Sequence, residues 1–356
     1  MKARIGIIGG GIYGTQMLMA YYAAHKRGQI ELAAFADIKE EVVKEQMTKF
    51  NVKGYTNYKE MLEKERLDAV AIVTPDHLHR EITLEVANRG VNILVQKPLD
   101  VSSKGGNEMV QAARENNVML YVDFHKRFDP GHIQLKRDIK SGKLGKIQYG
   151  YIWIEDTIIV PSVWFKKWAQ YSSPAWFIGI HFYDLIYWLL ESKPKKVYAT
   201  GIKDKLLGMG IDTYDSIQAK VEFENGANIS ADTSWILPNN FPSEVNQGIR
   251  VVGSKGISEV DSQDRGIFYA YEEDQISIVP NPYGRLDRED PFYGTTPQGY
   301  TIESMLYFLD LVNQMKNGTK LKDLEGAYPS GEEALVSTQI CEAIHKSANT
   351  GRIIEL

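Results

Sequence analysis

Cysteine is nearly absent. Cys341 stands alone in 356 residues, so no disulfide can form within the chain. Long apolar runs are missing too, since none approaches the ~20 residues of a membrane-crossing helix. No secretory leader precedes the first apolar strand, which together with the lone cysteine predicts a cytoplasmic, membrane-free protein. Positive charge is neither in excess nor clustered. With 41 Lys and Arg against 46 Asp and Glu the formal net charge is −5, which argues against a nucleic-acid partner. Internal repeats and low-complexity segments are also lacking.

What is present is the composition of a globular protein, 43% hydrophobic and 24% charged. The length suits two domains better than one. Aromatic residues are plentiful, with 20 Tyr, 12 Phe and 6 Trp, and many follow residue 145. They could line a pocket for a flat or ring-shaped ligand.

Up to residue 124, short apolar strands alternate with helices. Strands are expected at 4–8, 31–36, 68–73, 91–95 and 119–122. Helices are expected from the first glycine cluster to about residue 27, then at 39–50, 78–89 and 103–116. This alternation predicts right-handed βαβ units and a doubly wound parallel sheet, assigned to a dinucleotide-binding domain of residues 1–124. Beyond about residue 145 the strands lose their intervening helices. They are expected at 146–154, 195–201, 215–224, 227–235, 248–252 and 267–271. A second domain, residues 125–356, should therefore hold a large open sheet, mostly antiparallel. The fold class is α/β plus α+β. Helices are expected at 176–190, 303–316 and 331–348, and residues 280–299, rich in Pro, Gly and Tyr, read as a long loop.

Gly9-x-Gly11-x-x-Gly14 joins the first strand to the first helix. Gly9 permits a tight turn, Gly11 lets backbone approach a pyrophosphate, and Gly14 lets helix pack on strand. The helix start supplies N–H donors to that anion, Ile12 is a further expected cofactor contact, and Tyr13, inside the glycine loop, could cover the pyrophosphate. Asp37 ends the second strand, 23 residues after Gly14. An acid there accepts from the ribose hydroxyls and repels a 2′-phosphate, which favours NAD over NADP. Lys39 nearby weighs the other way. Ligands of such sheets collect beyond the carboxyl ends of the strands, where Thr74-Pro75 and Gln96-Lys97-Pro98 stand. Lys97 is fixed at the rim of an apolar strand by Pro98, and this position points toward a nicotinamide.

Several motifs in order resemble the Gfo/Idh/MocA family of glucose–fructose oxidoreductase, inositol dehydrogenase and MocA. They are Ile8 to Gly14, Thr74-Pro75-Asp76-His77-Leu78-His79, Gln96-Lys97-Pro98, Lys126 to Pro130, Gly179 to Asp184, Val252 to Gly256, and Glu342-Ala343 with Ser347 to Arg352. The resemblance covers essentially the whole chain. It implies hydride transfer between a nicotinamide and a sugar or polyol carbon, and a homodimer or homotetramer built through the second domain's sheet. Lys97 matches the family lysine that contacts nicotinamide ribose and substrate hydroxyl. His181 matches the usual acid/base, and Asp184 the second aspartate of that segment. Two departures stand out. Gln96 occupies a position usually held by Glu, and Phe177 replaces the segment's first aspartate.

Each candidate has a plainer alternative. His181, with an ordinary imidazole value of about 6.5, suits a general base but could be a bonded core histidine. Lys97 could donate to a developing alkoxide or simply snorkel to solvent. Asp184 could orient His181 or serve the helix alone. Thr74, Pro75, His79 and Gln96 complete the expected cofactor contacts. Asp123, His125, Lys126, Trp176 and Phe177 are the expected substrate contacts, with Asp123 or His125 able to replace the acid lost at Phe177. The tryptophans 153, 164, 168, 176 and 235 are candidate stacking surfaces. His77 and His79 lack the partners of a metal site, and none is expected. Two other functions stay open: a redox-neutral sugar-modifying enzyme with retained NAD, and a non-catalytic dinucleotide sensor.

Overall fold

The computed structural model describes residues 2–272 and 277–356. Its strands are β1 (Arg4–Ile8), β2 (Glu31–Ala36), β3 (Lys53–Tyr55), β4 (Ala69–Ile72), β5 (Asn92–Val95), β6 (Leu120–Val122), β7 (Ile147–Thr157), β8 (Pro194–Ile202), β9 (Ser216–Phe223), β10 (Asn228–Leu237), β11 (Val245–Gly253), β12 (Ile257–Asp261), β13 (Leu286–Asp290), β14 (Gly294–Gln298) and β15 (Ile354–Glu355). Its α-helices are α1 (Ile12–Lys26), α2 (Glu40–Phe50), α3 (Tyr58–Lys64), α4 (His79–Asn88), α5 (Ser103–Glu115), α6 (Pro130–Lys140), α7 (Ile180–Leu190), α8 (Lys205–Gly208), α9 (Tyr300–Lys316) and α10 (Gly331–Thr350). They divide into two compact units, residues 1–128 with 283–335, and residues 129–282 with 336–356.

The first unit is built on a parallel sheet of order β3-β2-β1-β4-β5-β6. Its central strands are buried on both faces, so they read as continuous apolar runs rather than alternating ones. The strand order reverses between β1 and β4. That reversal opens a crevice at the carboxyl ends of the strands, where Gly9, Asp37, Thr74, Gln96 and Asp123 follow their strands. Helix α9 belongs to this unit. Its Met305, Phe308, Leu311 and Val312 share a core with Tyr21 of α1 and Tyr121 of β6.

The second unit holds a seven-stranded sheet of order β12-β11-β7-β10-β9-β8-β15. Only β7 and β10 run parallel; all other neighbours are antiparallel. Burial alternates along β9, with Ile217, Ala219, Val221 and Phe223 inward. Tyr183 and Ile186 of α7 pack on that inner face, with Ile152, Ile229 and Ala231. The outer face presents Tyr149, Tyr151 and Tyr198.

Two sequence expectations are corrected. Residues 267–271 are not a strand; Tyr269 makes a single bridge to Ile278, and the apolar-looking Phe268, Tyr269 and Tyr271 are exposed. The edge strand is β12 instead, whose pairing with β11 carries no run of buried side chains to reveal it. Residues 280–299 are not an unstructured loop, because β13 and β14 form an antiparallel hairpin. Its strands, Leu-Asp-Arg-Glu-Asp and Gly-Thr-Thr-Pro-Gln, lack the apolar alternation that announces one.

Candidate active site

The glycine turn is sterically committed. Gly9 has φ +106°, and a Cβ there would lie 2.3 Å from the Val73 carbonyl oxygen. A Cβ on Gly14 would lie 2.2 Å from the Gly9 carbonyl oxygen. At Gly11, by contrast, a Cβ meets nothing within 4 Å, and this residue caps α1 with no side-chain hydrogen bond. Open space in front of a 15-residue helix whose first N–H groups lack a side-chain cap is what a pyrophosphate needs. Gly11→Ala should therefore cost the fold about 1 kcal/mol or less, the penalty of alanine at an N-cap. It should still weaken NAD binding at least tenfold, checked by calorimetric titration beside a thermal melt. An unchanged NAD affinity would contradict this use of the turn.

Asp37 is half-buried at the end of β2. Its Oδ2 accepts from the Gly10 N–H at 2.7 Å and its Oδ1 from the Lys39 N–H at 2.8 Å. Each oxygen keeps a lone pair for a ribose hydroxyl. The residues present thus fit a dinucleotide.

Beyond β4 and β5 lie Thr74-Pro75 and Gln96-Lys97-Pro98. The His79 ring is fully buried between these segments, with Nδ1 2.8 Å from the Pro98 carbonyl and Nε2 2.9 Å from the Thr74 carbonyl. Both ring nitrogens are used inside the fold, so His79 shapes the rim rather than reaching a ligand. Lys97 is half-buried and its peptide bond to Pro98 is cis. Its charge acts on two nearby carboxyls. Burial raises Asp76 above its ordinary value, and His79 and Lys97 oppose that rise.

Asp123 follows β6 and is wholly buried. Its Oδ1 accepts from Ser304 Oγ at 2.5 Å and its Oδ2 from Gln96 Nε2 at 2.6 Å, with Tyr13 Oη at 3.4 Å. Burial pushes this carboxyl up, while Ser304, Gln96, Tyr13 and Lys97 pull it down. Tyr13 Oη also lies 3.4 Å from His125 Nδ1. The His125 ring stacks on Tyr300, and buried Lys126 donates to the Tyr300 hydroxyl at 2.9 Å. Thus Tyr13, Gln96, Asp123, His125 and Lys126 are brought together. Ser304 and Tyr300 escaped the sequence reading. They arrive from α9, 181 residues from Asp123 in the case of Ser304, and no local pattern marks them.

In the second unit, a wide π-helical turn at Ala175–Gly179 leads into α7. The expected helix start at residue 176 falls in that turn. Gly179 lets the helix start press on β10, since a Cβ there would lie 2.8 Å from Thr233 Cγ2. His181 is 6% exposed and Asp184 is fully buried one helical turn later. Phe177 packs among Phe165, Trp168 and Trp235, at ring distances of 5.1, 5.6 and 6.1 Å. Trp176 is buried and stacks on His345, whose Nε2 meets Ser173 Oγ at 2.8 Å. Of the other tryptophans, Trp235 is buried with its indole N–H on the Tyr214 carbonyl, and Trp153 stacks on Tyr151. No group of three or more His, Cys, Asp or Glu among the described residues is arranged to hold a metal ion, and no described helix is long and apolar enough to cross a membrane.

Residues 3–124 match the model of an oxidoreductase family with an NAD-binding Rossmann fold, and residues 132–259 match the Gfo/Idh/MocA C-terminal domain. The chain belongs to the Gfo/Idh/MocA family. It is an NAD-binding oxidoreductase. Among its relatives is the myo-inositol 2-dehydrogenase of Thermotoga maritima, 26% identical over 71% of this chain and 73% of that protein. Another is the 2,7-anhydro-N-acetylneuraminate hydratase of Mediterraneibacter gnavus, 24% identical over 85% of this chain and 84% of that protein. Other curated relatives are matched over as little as 55% of their own length, as is the inositol 2-dehydrogenase of Rubrobacter xylanophilus. The fold is shared with the scyllo-inositol dehydrogenase of Lactobacillus casei solved with NAD(H) and scyllo-inositol, at TM-score 0.79 and 19% identity over 100% of this chain and 99% of that one. The expectation of a dehydrogenase or reductase working on CH–OH groups agrees with the inositol 2-dehydrogenases among the relatives.

Within this Gfo/Idh/MocA chain the two departures have different surroundings. Gln96 keeps a carboxylate at hydrogen-bond distance, that of Asp123. Phe177 has an aromatic cluster in place of an acid.

Proposed function

We propose that this chain is an NAD-dependent dehydrogenase moving a hydride between NAD and a ring carbon of a polyol, sugar or sugar derivative. The observation that carries the reading is Lys97, a half-buried amine at the rim where an NAD-binding sheet collects its ligand. NAD, when bound, accepts the hydride. Gly9, Gly11, Ile12, Tyr13 and Gly14 hold its pyrophosphate, Asp37 its ribose hydroxyls, and Thr74, Pro75 and Gln96 line the nicotinamide side. Lys97 donates to the alcohol oxygen as negative charge grows there. His181 takes the hydroxyl proton, and Asp184 orients the imidazole. His125 and Lys126 of the first unit, and Trp176 and Phe177 of the second, are assigned to the substrate, and an aromatic ring suits the C–H face of a sugar or inositol ring.

The test is a panel of inositols, sugars and polyols with saturating NAD, followed by NADH absorbance. Turnover of at least one cyclic polyol is expected; a protein that binds no nicotinamide cofactor would sink the reading. Asp37→Ser should improve the ratio of NADP to NAD in kcat/KM by at least tenfold, because it removes the charge that repels a 2′-phosphate. An unchanged ratio would remove Asp37 from cofactor choice.

A second reading is favoured by the hydratase relative and by Phe177. There the oxidation is transient, and the hydride returns to the product after elimination or hydration. Tightly retained NAD with turnover but no net NADH distinguishes it. In either reading the unit of residues 1–128 with 283–335 serves the cofactor, and the unit of residues 129–282 with 336–356 the substrate and assembly. The exposed Tyr149, Tyr151 and Tyr198 support a homodimer or homotetramer through the second sheet, testable by light scattering.

A further inference from the structure

Helix α10 carries a histidine that the proposed hydride transfer leaves unused. His345 Nδ1 is 2.8 Å from the Cys341 carbonyl oxygen, one turn earlier. A carbonyl only accepts, so Nδ1 carries the proton. In a neutral ring Nε2 is then the acceptor, and it stands 2.8 Å from Ser173 Oγ. The Ser173 hydroxyl donates to it, while the Ser173 oxygen takes the Trp176 N–H at 3.2 Å. The imidazole also stacks on the Trp176 indole, with centroids 5.6 Å apart and planes 18° from parallel. Hydrogen bonds therefore run in one direction, from Trp176 through Ser173 to His345 and on to Cys341. Both ends of this chain are anchored within the second unit. Ser347 of α10 accepts from the Ala199 N–H of β8 at 2.8 Å, and the Tyr214 hydroxyl donates to Asn349 at 2.5 Å. The Thr213 hydroxyl donates to the Ser172 carbonyl at 2.7 Å.

We propose that His345 is a positioning residue for Trp176: as a neutral imidazole it accepts from the Ser173 hydroxyl and stacks on the indole, and so fixes the side chain assigned to the substrate. Trp176 sits in the wide turn that leads into α7, where backbone hydrogen bonds alone leave the direction of a large side chain open. Stack and hydrogen bond together fix it, one on the indole face and one on the backbone beside it. The inference deepens the role given to Trp176 and rests on that reading. His345 itself acts only through Ser173 and Trp176.

The clasp needs an uncharged ring. An imidazolium has two donors, and the second would face a Ser173 oxygen that already takes the Trp176 N–H, while the serine hydrogen would lose its acceptor. Burial holds the His345 imidazole below its ordinary value of 6.5, which the Cys341 carbonyl opposes and the Lys203 charge reinforces. Other groups stand around it. Cys341, Glu342 and Lys346 share α10, and both Glu342 and Tyr183 of α7 interact with Cys341. The Tyr214 ring is 6.2 Å away, and Lys203 lies over that ring at 5.0 Å and pairs with Asp212 at 2.8 Å. A base held down in this way contributes its full stability above about pH 6.5. That contribution is lost as pH falls below this value, because the unfolded chain then takes the proton first. The clasp is closed at neutral pH and loosens in acid.

Fluorine NMR of protein carrying 5-fluorotryptophan tests the clasp without substrate. The six tryptophans give six resonances, and the one lost in Trp176→Phe belongs to Trp176. In Ser173→Ala that resonance should move while the other five hold, whereas a merely structural serine would shift several together. In wild type it should titrate below about pH 6.5, and in His345→Gln that titration should vanish. Kinetics with an active polyol give the second readout. Ser173→Ala and His345→Phe should each raise KM about tenfold, with kcat and NAD affinity within a few-fold of wild type. The double variant should be no worse than either single one, because both remove the same link. His345→Gln, whose amide oxygen takes the Ser173 hydroxyl, should recover most of the loss. Melting curves identify the folded variants, and His345→Phe carries the kinetic test should Ser173→Ala unfold. A Trp176 resonance unmoved in folded Ser173→Ala would overturn the proposal, as would an unchanged KM in the folded variants or losses that add in the double variant. An inactive polyol panel leaves the fluorine result standing, so the two readings fail separately.

Discussion

Lys97→Ala lowers kcat/KM by about 10²- to 10³-fold if the amine is the donor that meets charge on the reacting oxygen, the size of effect that removal of one such preorganised donor has elsewhere. NAD affinity should change by only a few-fold, since the pyrophosphate and ribose contacts belong to the glycine turn and Asp37. The loss should fall on kcat rather than on KM, because the charge exists only as the hydride leaves. Steady-state kinetics with an active polyol, beside a calorimetric NAD titration, separates the two. A loss confined to NAD binding would make Lys97 a cofactor residue and nothing more. Lys97→Arg tests geometry: the charge survives, but the bulkier, planar guanidinium replaces a compact ammonium in a half-buried site. Activity should stay well below wild type.

His181→Gln is expected to lower kcat by about 10²- to 10⁴-fold, the range of a positioned general base. The pH profile is the sharper readout. An imidazole that accepts the hydroxyl proton works when neutral, so wild-type oxidation should rise with pH through the imidazole titration and then level. In His181→Gln that acid limb should vanish and leave a flat or hydroxide-dependent rate. Retention of the same limb in the variant would assign it to another group. Because His181 is nearly buried, the isosteric Gln is preferred to Ala, whose cavity would confuse stability with chemistry. A melting curve at the assay pH controls for this.

Much of the cofactor unit was legible in the sequence. Strands buried on both faces leave continuous apolar runs, and a turn that no Cβ can enter leaves glycines at fixed spacing, so β1, β2, β4, β5 and the turn at Gly9 stood out. Short or edge elements did not. β3 has three residues with no apolar run, and β12 and the β13–β14 hairpin lie in segments where charge and exposure erase the alternation. Residues 267–271 misled for the opposite reason: aromatic side chains stood in solvent without a partner strand. The site shows the same division. Lys97 and the glycine turn announce themselves locally, since one strand end and one turn fix each. Ser304 and Tyr300 do not, because their relation to Asp123 and Lys126 exists only once α9 has packed against the sheet. His79 was read from the sequence as a cofactor contact, whereas its ring nitrogens lie on two carbonyls 19 and 5 residues away, a pairing that no local pattern marks.

Transfer of deuterium tests the central chemistry most directly. Purified protein, NAD and a cyclic polyol deuterated at its carbinol carbons are incubated together, and the nicotinamide is analysed by mass spectrometry. The expected result is reduced cofactor carrying one deuterium, formed by wild type and strongly suppressed in Lys97→Ala. Cofactor recovered oxidised and unlabelled with every polyol offered, or labelled equally fast without the Lys97 amine, would contradict the role assigned to that strand-end lysine.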